Sequence, residues 1–427
     1  MELLRKLHAR HEAHDPIRVG IVGCGQMGSG LAHAASAVQG MRVAAIADID
    51  PARGIATFVD LGYDRADVVV TDTETAAAGA LAAGRPLVTA DPLLLTRLDR
   101  LEANVEATGV PDVGARVAYE SIANRKPVIM LNVETDVTVG LYLSTLAREA
   151  GTVYTVASGD EPGVLKMLYE QAVLMGFEVV CLGKGKNNVI DLDATPESCA
   201  DEAASKGMNP KMLAAFKDGT KTMVEMTAVA NSTGLVPDVP GMHGPNVDVH
   251  DLDRVFIPAL DGGILTRRGC VDYSTGPIAP GVFAVVYSDN DRIRTDMRFI
   301  THADGPYYLH FRPYHLCDLE TPQSIAEAVL MGEVTVAAEG RHADVVAVAK
   351  RDIPAGQRVG GIGGSDYFGR TYMYDDLVRG RLVPIGIAEG GVALRDIPKG
   401  APLSQDAFAP NDSTFVTDLR RRQDLMP

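Results

Sequence analysis

The chain has 427 residues, of which 46% are hydrophobic and 22% charged, and its formal net charge is −16. This length is sufficient for two or three domains with a substantial core, and the negative charge argues against nucleic acid as a partner. No apolar run approaches the roughly 20 residues of a membrane helix, and the charged N-terminal stretch has no signal-peptide core. The five cysteines form no CxxC pair, so we expect a cytoplasmic protein with reduced thiols.

The first predicted strand, Ile17 to Val22, runs into a glycine-rich turn that opens a helix. In such a turn the first glycine permits the bend, the second lets a pyrophosphate approach the backbone, and the third lets the helix pack on the strand. The helix N-terminus then receives the phosphate charge. The predicted cofactor-binding residues of this turn are Gly23, Gly25, Gln26, Met27 and Gly28.

A second predicted strand, Val43 to Ala47, ends in Asp48, about 20 residues after the third glycine. An acidic residue there is expected to bind a ribose hydroxyl, which favours NAD. Arg53 follows closely enough to pair with a 2′-phosphate, which favours NADP. The residues leave the choice between NAD(H) and NADP(H) open.

Further alternation of strands and helices predicts a doubly wound parallel sheet of the Rossmann type. We expect a strand over Ala66 to Thr73, a helix over Leu93 to Ala107 and a strand over Pro127 to Asp136. Ligands bind beyond the carboxyl ends of such strands, so Asn132 and Glu134 are predicted to line the nicotinamide pocket. The alternative is that they are ordinary polar residues at a strand exit.

The stretch "ASGDEPG" places Asp160 and Glu161 between two glycines, after the strand-like run Thr152 to Val156. Pro162 suits the first position of a helix, which would make Glu161 the N-cap. Glutamate is a poor N-cap, so capping alone explains this pair badly. We therefore predict that both carboxylates bind a metal or substrate hydroxyls, with Glu134 as a third metal ligand.

Two loops of the middle segment supply the remaining predicted catalytic residues. Residues 183–188 are predicted to form a loop after a strand, and its side chains Lys184, Lys186 and Asn187 would bind a phosphate. The alternative is a solvated hairpin tip. His243 lies in a loop rich in glycine and proline, where it could act as an acid or base or be an ordinary loop histidine.

The C-terminal part contains two near-copies of one pentapeptide, "DIPAG" beginning at Asp352 and "DIPKG" beginning at Asp396. Each follows an alternating apolar run, as a strand that meets a turn would. We predict three domains: a dinucleotide-binding domain over residues 1–155, an α+β substrate domain over 156–339 and a small β-rich domain over 340–427.

Five stretches together resemble one group of bacterial oxidoreductases: "VGIVGCGQMGSGL", "NVETDVTVG", "GDEPG", "FRPYHLCDLETPQSI" and the paired pentapeptides. The group is similar to homoserine dehydrogenase in its first two domains and carries a C-terminal SAF-type β-clip domain. Some members are 1-deoxy-D-xylulose 5-phosphate reductoisomerase-like enzymes of isoprenoid biosynthesis. The resemblance implies NADP(H), Mg²⁺ or Mn²⁺ as cofactors, a small phosphorylated sugar as substrate, and a homo-oligomer, dimer or tetramer.

Two departures from the family patterns keep alternatives open. Asn132-Val133 stands where homoserine dehydrogenase has an Asn-Lys pair, and "GDEPG" stands where the reductoisomerases have "DSEH". The leading expectation is an NAD(P)H-dependent oxidoreductase that isomerises and reduces a phosphorylated keto-sugar to 2-C-methyl-D-erythritol 4-phosphate. The alternatives are a dehydrogenase of a homoserine-like or polyol substrate without isomerisation, and a non-catalytic NAD(P)H sensor.

Overall fold

The computed structural model describes residues 2–426. Its helices, in chain order, are α1 (Glu2–Glu12), α2 (Gln26–Ala37), α3 (Pro51–Asp60), α4 (Glu74–Ala82), α5 (Leu94–Arg97), α6 (Pro111–Ala123), α7 (Val133–Ala150), α8 (Glu161–Leu174), α9 (Ala200–Ser205), α10 (Pro210–Lys217), α11 (Thr220–Thr233), α12 (Leu252–Val255), α13 (Asp291–Thr301), α14 (Cys317–Leu330), α15 (Tyr374–Gly380) and α16 (Phe415–Asp424). Its strands are β1 (Ile17–Val22), β2 (Met41–Ala47), β3 (Val69–Val70), β4 (Leu87–Thr89), β5 (Ala103–Glu106), β6 (Val128–Met130), β7 (Tyr154–Val156), β8 (Glu178–Gly185), β9 (Val236–Pro237), β10 (Cys270–Ser274), β11 (Val282–Tyr287), β12 (Tyr307–Arg312), β13 (Ala343–Ala349), β14 (Tyr367–Met373), β15 (Val392–Ala393) and β16 (Phe408–Ala409).

The chain divides into two compact units. Unit 1 contains the residues up to Asp160, Leu316–Ala337 and the residues from Thr414 onward, and unit 2 contains Glu161–His315 and Ala338–Ser413. The sequence predicts three domains instead. The structure groups the C-terminal β-rich residues with the middle segment and returns α14 and α16 to the first unit.

Unit 1 is built on a seven-stranded parallel sheet with the order β3-β4-β2-β1-β5-β6-β7. The predicted doubly wound α/β fold is confirmed. The chain runs outward from β1 through β2 and then resumes on the other side with β5, so the order reverses between β1 and β5. In open parallel sheets ligands bind at the carboxyl ends of the strands at this reversal.

Two predicted elements of unit 1 differ from the observed ones. The predicted helix over Leu93 to Ala107 is wrong, because α5 covers only one turn and β5 follows it. The residues of β5 are fully buried between β1 and β6, and this pairing overrides their helical spacing. The strand predicted over Pro127 to Asp136 ends at Met130, and α7 begins at Val133, capped by Asn132.

Unit 2 contains a five-stranded mixed sheet with the order β12-β11-β8-β10-β9. Strands β8, β9 and β10 are parallel, and β11 is antiparallel to β8 and β12. The antiparallel pair β13–β14 packs against α11, where the N–H of Gly369 donates to Thr220 Oγ1 at 2.8 Å. This bond ties the C-terminal β-rich residues into unit 2.

The two pentapeptides pair with each other in unit 2. Ile353 and Ile397, the second residue of each copy, exchange backbone hydrogen bonds of 2.8 and 2.9 Å. The aspartate of each copy accepts from the backbone N–H of the fourth residue of the other copy. These reciprocal bonds run from Lys399 to Asp352 and from Ala355 to Asp396, each at 2.8 Å. We call this reciprocal, two-fold pairing of the two pentapeptides the two-fold clip.

No helix within residues 2–426 has the length and apolar character needed to cross a membrane.

Candidate functional site

The glycine-rich turn of unit 1 has the geometry that its sequence predicts. Gly23 has a φ of +90°, which other residues rarely adopt. A Cβ atom on Gly28 would overlap the carbonyl oxygen of Gly23, so α2 packs closely on the turn. Among residues 2–426, and leaving out Gly25 itself and its two chain neighbours, no atom lies within 4 Å of the position that a Cβ on Gly25 would take. This space is where the fold expects a pyrophosphate.

The N-terminus of α2 is open to the same space. Gly25 is the N-cap residue, and no side chain caps the first turn of the helix. Gly25 and Gln26 are exposed, and Met27 is half-buried. Unpaired N–H groups at a helix N-terminus bind phosphate oxygens, so the turn fits a dinucleotide.

Asp48 follows β2 as predicted, and its side chain is hydrogen-bonded to the glycine-rich turn. Its Oδ2 accepts from the N–H of Cys24 at 2.7 Å, and its Oδ1 accepts from the N–H of Asp50 at 2.8 Å. Its ribose contact therefore stays a prediction. The side chain of Arg53 is 59% exposed and lies 3.7 Å from the carboxylate of Asp50. It is accessible to a 2′-phosphate.

Asn132 and Glu134 lie at the carboxyl edge of the unit 1 sheet, as predicted, although in a helix start rather than a strand end. Asn132 Oδ1 accepts from the N–H of Thr135 at 3.1 Å, and its amide donates to the carbonyl of Val110 at 3.2 Å. Glu134, in the first turn of α7, is buried. Asn132 is thus the N-cap of α7, and its predicted contact with the nicotinamide stays a prediction.

Glu106 at the end of β5 is absent from the residues predicted from sequence. It is fully buried, and burial raises the pKa of its carboxyl to about 7, against hydrogen bonds from Thr108 that lower the pKa. The nearby charge of Glu134 raises the pKa further. Glu106 was not predicted as a site residue because a helix was predicted over this segment. An acidic residue after the buried strand "ANV" marks the strand end that it occupies.

Three elements of unit 2 bring together a buried lysine and two carboxylates. Lys184 comes from β8, Glu161 from the first position of α8 and Glu225 from the middle of α11. The ammonium of Lys184 bonds to both carboxylates, and all three side chains are at most 8% exposed. We call these three residues the lysine–glutamate cluster.

The cluster fixes the charge of Lys184. Burial acts to lower the pKa of Lys184, but the carboxylates of Glu161 and Glu225 outweigh it, and its pKa lies above the ordinary value. Burial raises the pKa of Glu225, and the charge of Glu161 raises it further, against the effect of Lys184. The site therefore holds a permanent cation beside a carboxyl that retains a proton at higher pH than usual.

Two further polar side chains border the cluster. His315 Nε2 lies 3.3 Å from Glu161 Oε1, and the histidine side chain is 17% exposed. Tyr273 is the register partner of Lys184 on the parallel strand β10, so both side chains leave the same face of the sheet. Burial raises the pKa of Tyr273 to about 12. Because His315 is partly exposed and lies beside Glu161, it connects the cluster to solvent.

The predicted loop over residues 183–188 is wrong in its first half. Gly183, Lys184 and Gly185 belong to β8, because they pair with β10. Lys186 is buried, and its ammonium donates to Phe216 O at 2.6 Å and to Asn188 Oδ1 at 2.8 Å. Burial and the charge of Lys184 lower the pKa of Lys186 to about 8. A solvated phosphate loop does not exist at Lys184, and only Asn187 of the predicted residues is exposed.

His243 is held by two buried carboxylates in unit 2. Its Nδ1 lies 2.8 Å from Asp272 Oδ2, and its Nε2 lies 3.5 Å from Asp238 Oδ2. The hydrogen bond to Asp272 raises the pKa of His243. The preceding Met242 has a φ of +64°, a strained value for a residue with a side chain. This histidine is oriented as an acid or base would be, and its catalytic role stays a prediction.

The predicted metal ligands do not converge as a set of three. Glu134 belongs to no group of three close ligand side chains within residues 2–426. Glu161 shares the ammonium of Lys184 with Glu225, so a divalent cation would have to replace a cation that this pair already binds. Asp160, in unit 1, is buried, and its Oδ1 accepts from the thiol of Cys317 at 3.5 Å. Metal binding by Asp160, Glu161 and Glu134 stays a prediction.

Comparisons with known proteins support an oxidoreductase. Residues 159–321 match the family model described as "Oxidoreductase DRL, catalytic domain". This segment is less than half of the chain, and it contains the lysine–glutamate cluster, Lys186 and His243. The match gives no support to a reductoisomerase reaction or to a phosphorylated substrate. No curated protein sequence matches the chain.

Similar solved structures include three proteins at low identity. A probable dehydrogenase from Thermotoga maritima is 12% identical with a TM-score of 0.41, and the match covers 74% of this chain and 90% of that one. A putative myo-inositol dehydrogenase from Sinorhizobium meliloti 1021 is 14% identical with a TM-score of 0.40 and the same coverage. An oxidoreductase from Agrobacterium radiobacter in complex with NAD+, L-tartaric acid and magnesium is 14% identical with a TM-score of 0.30, covering 40% of this chain and 45% of that one, less than half its length. Similarity at this level does not decide the activity.

Proposed function

We propose that the protein is an NAD(P)-dependent oxidoreductase that reduces the carbonyl group of a small polar substrate. The observation that carries the proposal is the lysine–glutamate cluster, a buried cation between two carboxylates inside the segment that matches an oxidoreductase catalytic domain. A buried ion group of this kind is expensive to maintain for stability alone. Perturbed, partner-specific ionisation in one cluster is typical of catalytic sites.

The dinucleotide would be held by unit 1. The residues fit it, because Gly25 leaves the pyrophosphate position open and the first turn of α2 has no side-chain cap. The nicotinamide, when bound, supplies the hydride for carbonyl reduction. NADP(H) is the cofactor that the family resemblance implies, and the exposed Arg53 is the residue that would bind its 2′-phosphate.

Unit 2 would supply the charge and the proton. Lys184 remains protonated, so its ammonium can donate a hydrogen bond to the substrate oxygen as negative charge develops there. The oxygen then needs a proton, and Glu225, whose carboxyl pKa is raised by burial and by the charge of Glu161, would donate it. His315, partly exposed and beside Glu161, can return a proton from solvent.

For the substrate we propose a phosphorylated keto-sugar, with isomerisation before reduction as the narrower form of the reaction. The support is the sequence resemblance together with Lys186, a buried lysine that directly follows β8 and lies two residues after Lys184. An anionic group would stabilise the charged form of Lys186, whose pKa lies at about 8. A requirement for Mg²⁺ or Mn²⁺ belongs to this narrower form. The homo-oligomer, dimer or tetramer, and the cytoplasmic location are further proposals.

The first experiment measures oxidation of NADPH and NADH with phosphorylated ketoses, unphosphorylated polyol-derived ketones and aspartate semialdehyde, the oxidised partner of homoserine. Each substrate is tested with Mg²⁺, with Mn²⁺ and with a chelator. A branched polyol phosphate as product supports isomerisation, and a linear one supports simple reduction. Cofactor binding without turnover of any substrate would instead indicate a sensor protein.

The second experiment tests the cluster on the substrate found. Lys184→Met should lower kcat by on the order of a thousandfold while the affinity for the cofactor stays the same. Lys350→Met is the matched control, because Lys350 is also buried and paired, with Asp218 at 2.8 Å, but lies outside the matched segment. A Lys184→Met protein that binds cofactor and turns over at the wild-type rate would contradict the proposed role.

A further inference from the structure

Glu106 lies at the reversal point of the unit 1 sheet. It is the last residue of β5, and its register partner on β1 is Val22, the residue before the glycine-rich turn. The backbone after it lies against that turn, since a Cβ on Gly23 would be 2.9 Å from the carbonyl carbon of Ala107 and from the nitrogen of Thr108. Glu106 therefore stands at the sheet edge where this fold binds dinucleotides.

The two oxygens of the Glu106 carboxyl differ in their hydrogen bonding. Its Oε1 accepts from the N–H of Thr108 at 3.0 Å and from the hydroxyl of the same residue. Its Oε2 is buried without a hydrogen bond of ordinary geometry. The neighbouring amide of Asn132 donates to the carbonyl of Val110 at 3.2 Å, and its hydrogen bonding to Glu106 is weak, acting after burial and Thr108 on the pKa of that carboxyl. A buried polar atom without a bond is costly unless a ligand or a proton compensates for it.

The charges around Glu106 make a cation the fitting compensation. Glu134 is a second buried carboxyl close enough to raise the pKa of Glu106. Two carboxyls that repel each other are both stabilised by one positive charge beside them. Of the two redox states of a nicotinamide, only the oxidised ring carries a positive charge.

We propose that Glu106 sets the relative affinity for the two redox states of the cofactor, its carboxylate favouring the oxidised over the reduced dinucleotide. This inference rests on the proposed function. Stabilising the oxidised ring makes the bound reduced cofactor a stronger hydride donor, which suits carbonyl reduction. A carboxylate beside the ring acts on the charge by which the two redox states differ.

The test measures dissociation constants of oxidised and reduced cofactor for the full chain at pH 8.5 without substrate. Reduced cofactor is followed by its fluorescence and oxidised cofactor by calorimetry. Glu106→Gln keeps the shape and removes the charge, and it should lower the preference for the oxidised form by about tenfold. Asp136→Asn is the matched control, since Asp136 is also a fully buried acid but bonds to the hydroxyl of Tyr154 at 3.0 Å. It should leave the ratio unchanged.

Thr108→Val serves as a second variant if Glu106→Gln does not fold. It keeps the side-chain size and removes the hydroxyl that stabilises the charged carboxyl, so it should shift the ratio in the same direction at pH 7, by a smaller factor. An unchanged ratio in the folded variants, or an equal loss for both redox states, would overturn the inference while the cofactor site stands. Failure of the wild-type protein to bind either state would overturn the proposed function as well.

Discussion

Removal of Lys184 should destabilise unit 2 in a way that depends on pH. In Lys184→Met, Glu161 and Glu225 stay buried without their shared cation, and two such carboxylates cannot both remain ionised. The variant therefore has to bind about one more proton than the wild type. Taking up a proton at a given pH costs about 1.4 kcal/mol for each pH unit above the ordinary glutamate pKa of about 4.3.

This relation gives a magnitude and a sign. At pH 7.5 the cost is about 4 kcal/mol, within the range of about 3–5 kcal/mol for breaking a buried ion pair. At pH 5.5 it is about 2 kcal/mol. In the folded variant the pKa of the unpaired carboxyl lies above its value in the unfolded chain. The variant is therefore more stable at low pH, and it loses that stability as the pH rises. The destabilisation should thus fall by about 1.4 kcal/mol for each unit of acidification.

Native-state hydrogen exchange of the peptide that contains β8 measures this difference, because the ratio of exchange rates in variant and wild type at one pH gives the change in opening free energy. Lys206→Met is the control, since Lys206 pairs with Glu202 on the surface of the same unit and should not alter the protection of β8. Equal protection in Lys184→Met and wild type, or a loss that does not change with pH, would refute the reasoning.

Three other substitutions test separate features. Gly25→Val should keep the fold, because the φ of −75° suits any residue, and should weaken NADPH binding by on the order of a hundredfold; wild-type affinity would place the cofactor elsewhere. Arg53→Ala should weaken NADPH about tenfold more than NADH in a fluorescence titration, and equal changes would show that Arg53 does not bind the 2′-phosphate. Asp352→Ala and Asp396→Ala should each lower the free energy of unfolding by about 1 kcal/mol in urea, and clearly unequal values would contradict the two-fold clip.

Structural features that depend only on residues close together in the chain could be predicted from the sequence. The first strand, the glycine-rich turn and Asp48 follow one another within about 30 residues, so spacing alone identifies the dinucleotide fold. Lys184 is different. Its place in a strand depends on pairing with β10, far along the chain, so its glycine neighbours indicate a loop that does not form.

Glu225 was missed for a related reason. A glutamate in the middle of a helix usually faces solvent, and only the burial of α11 within unit 2 turns it toward Lys184. Glu161 was identified because its position beside a proline and two glycines is locally unusual. The sequence thus indicates a site residue where the local pattern is odd, and not where an ordinary residue acquires its partners from tertiary packing.

The two-fold clip holds together two stretches of chain that are far apart in sequence. Each copy completes the hydrogen bonding of the other, so the segment that joins them is held at both ends by non-covalent contacts. A peptide bond cleaved within that segment would leave both new ends anchored to the same body. This part of unit 2 should accordingly tolerate a proteolytic nick or relocated termini, whereas deletion of either copy would release both.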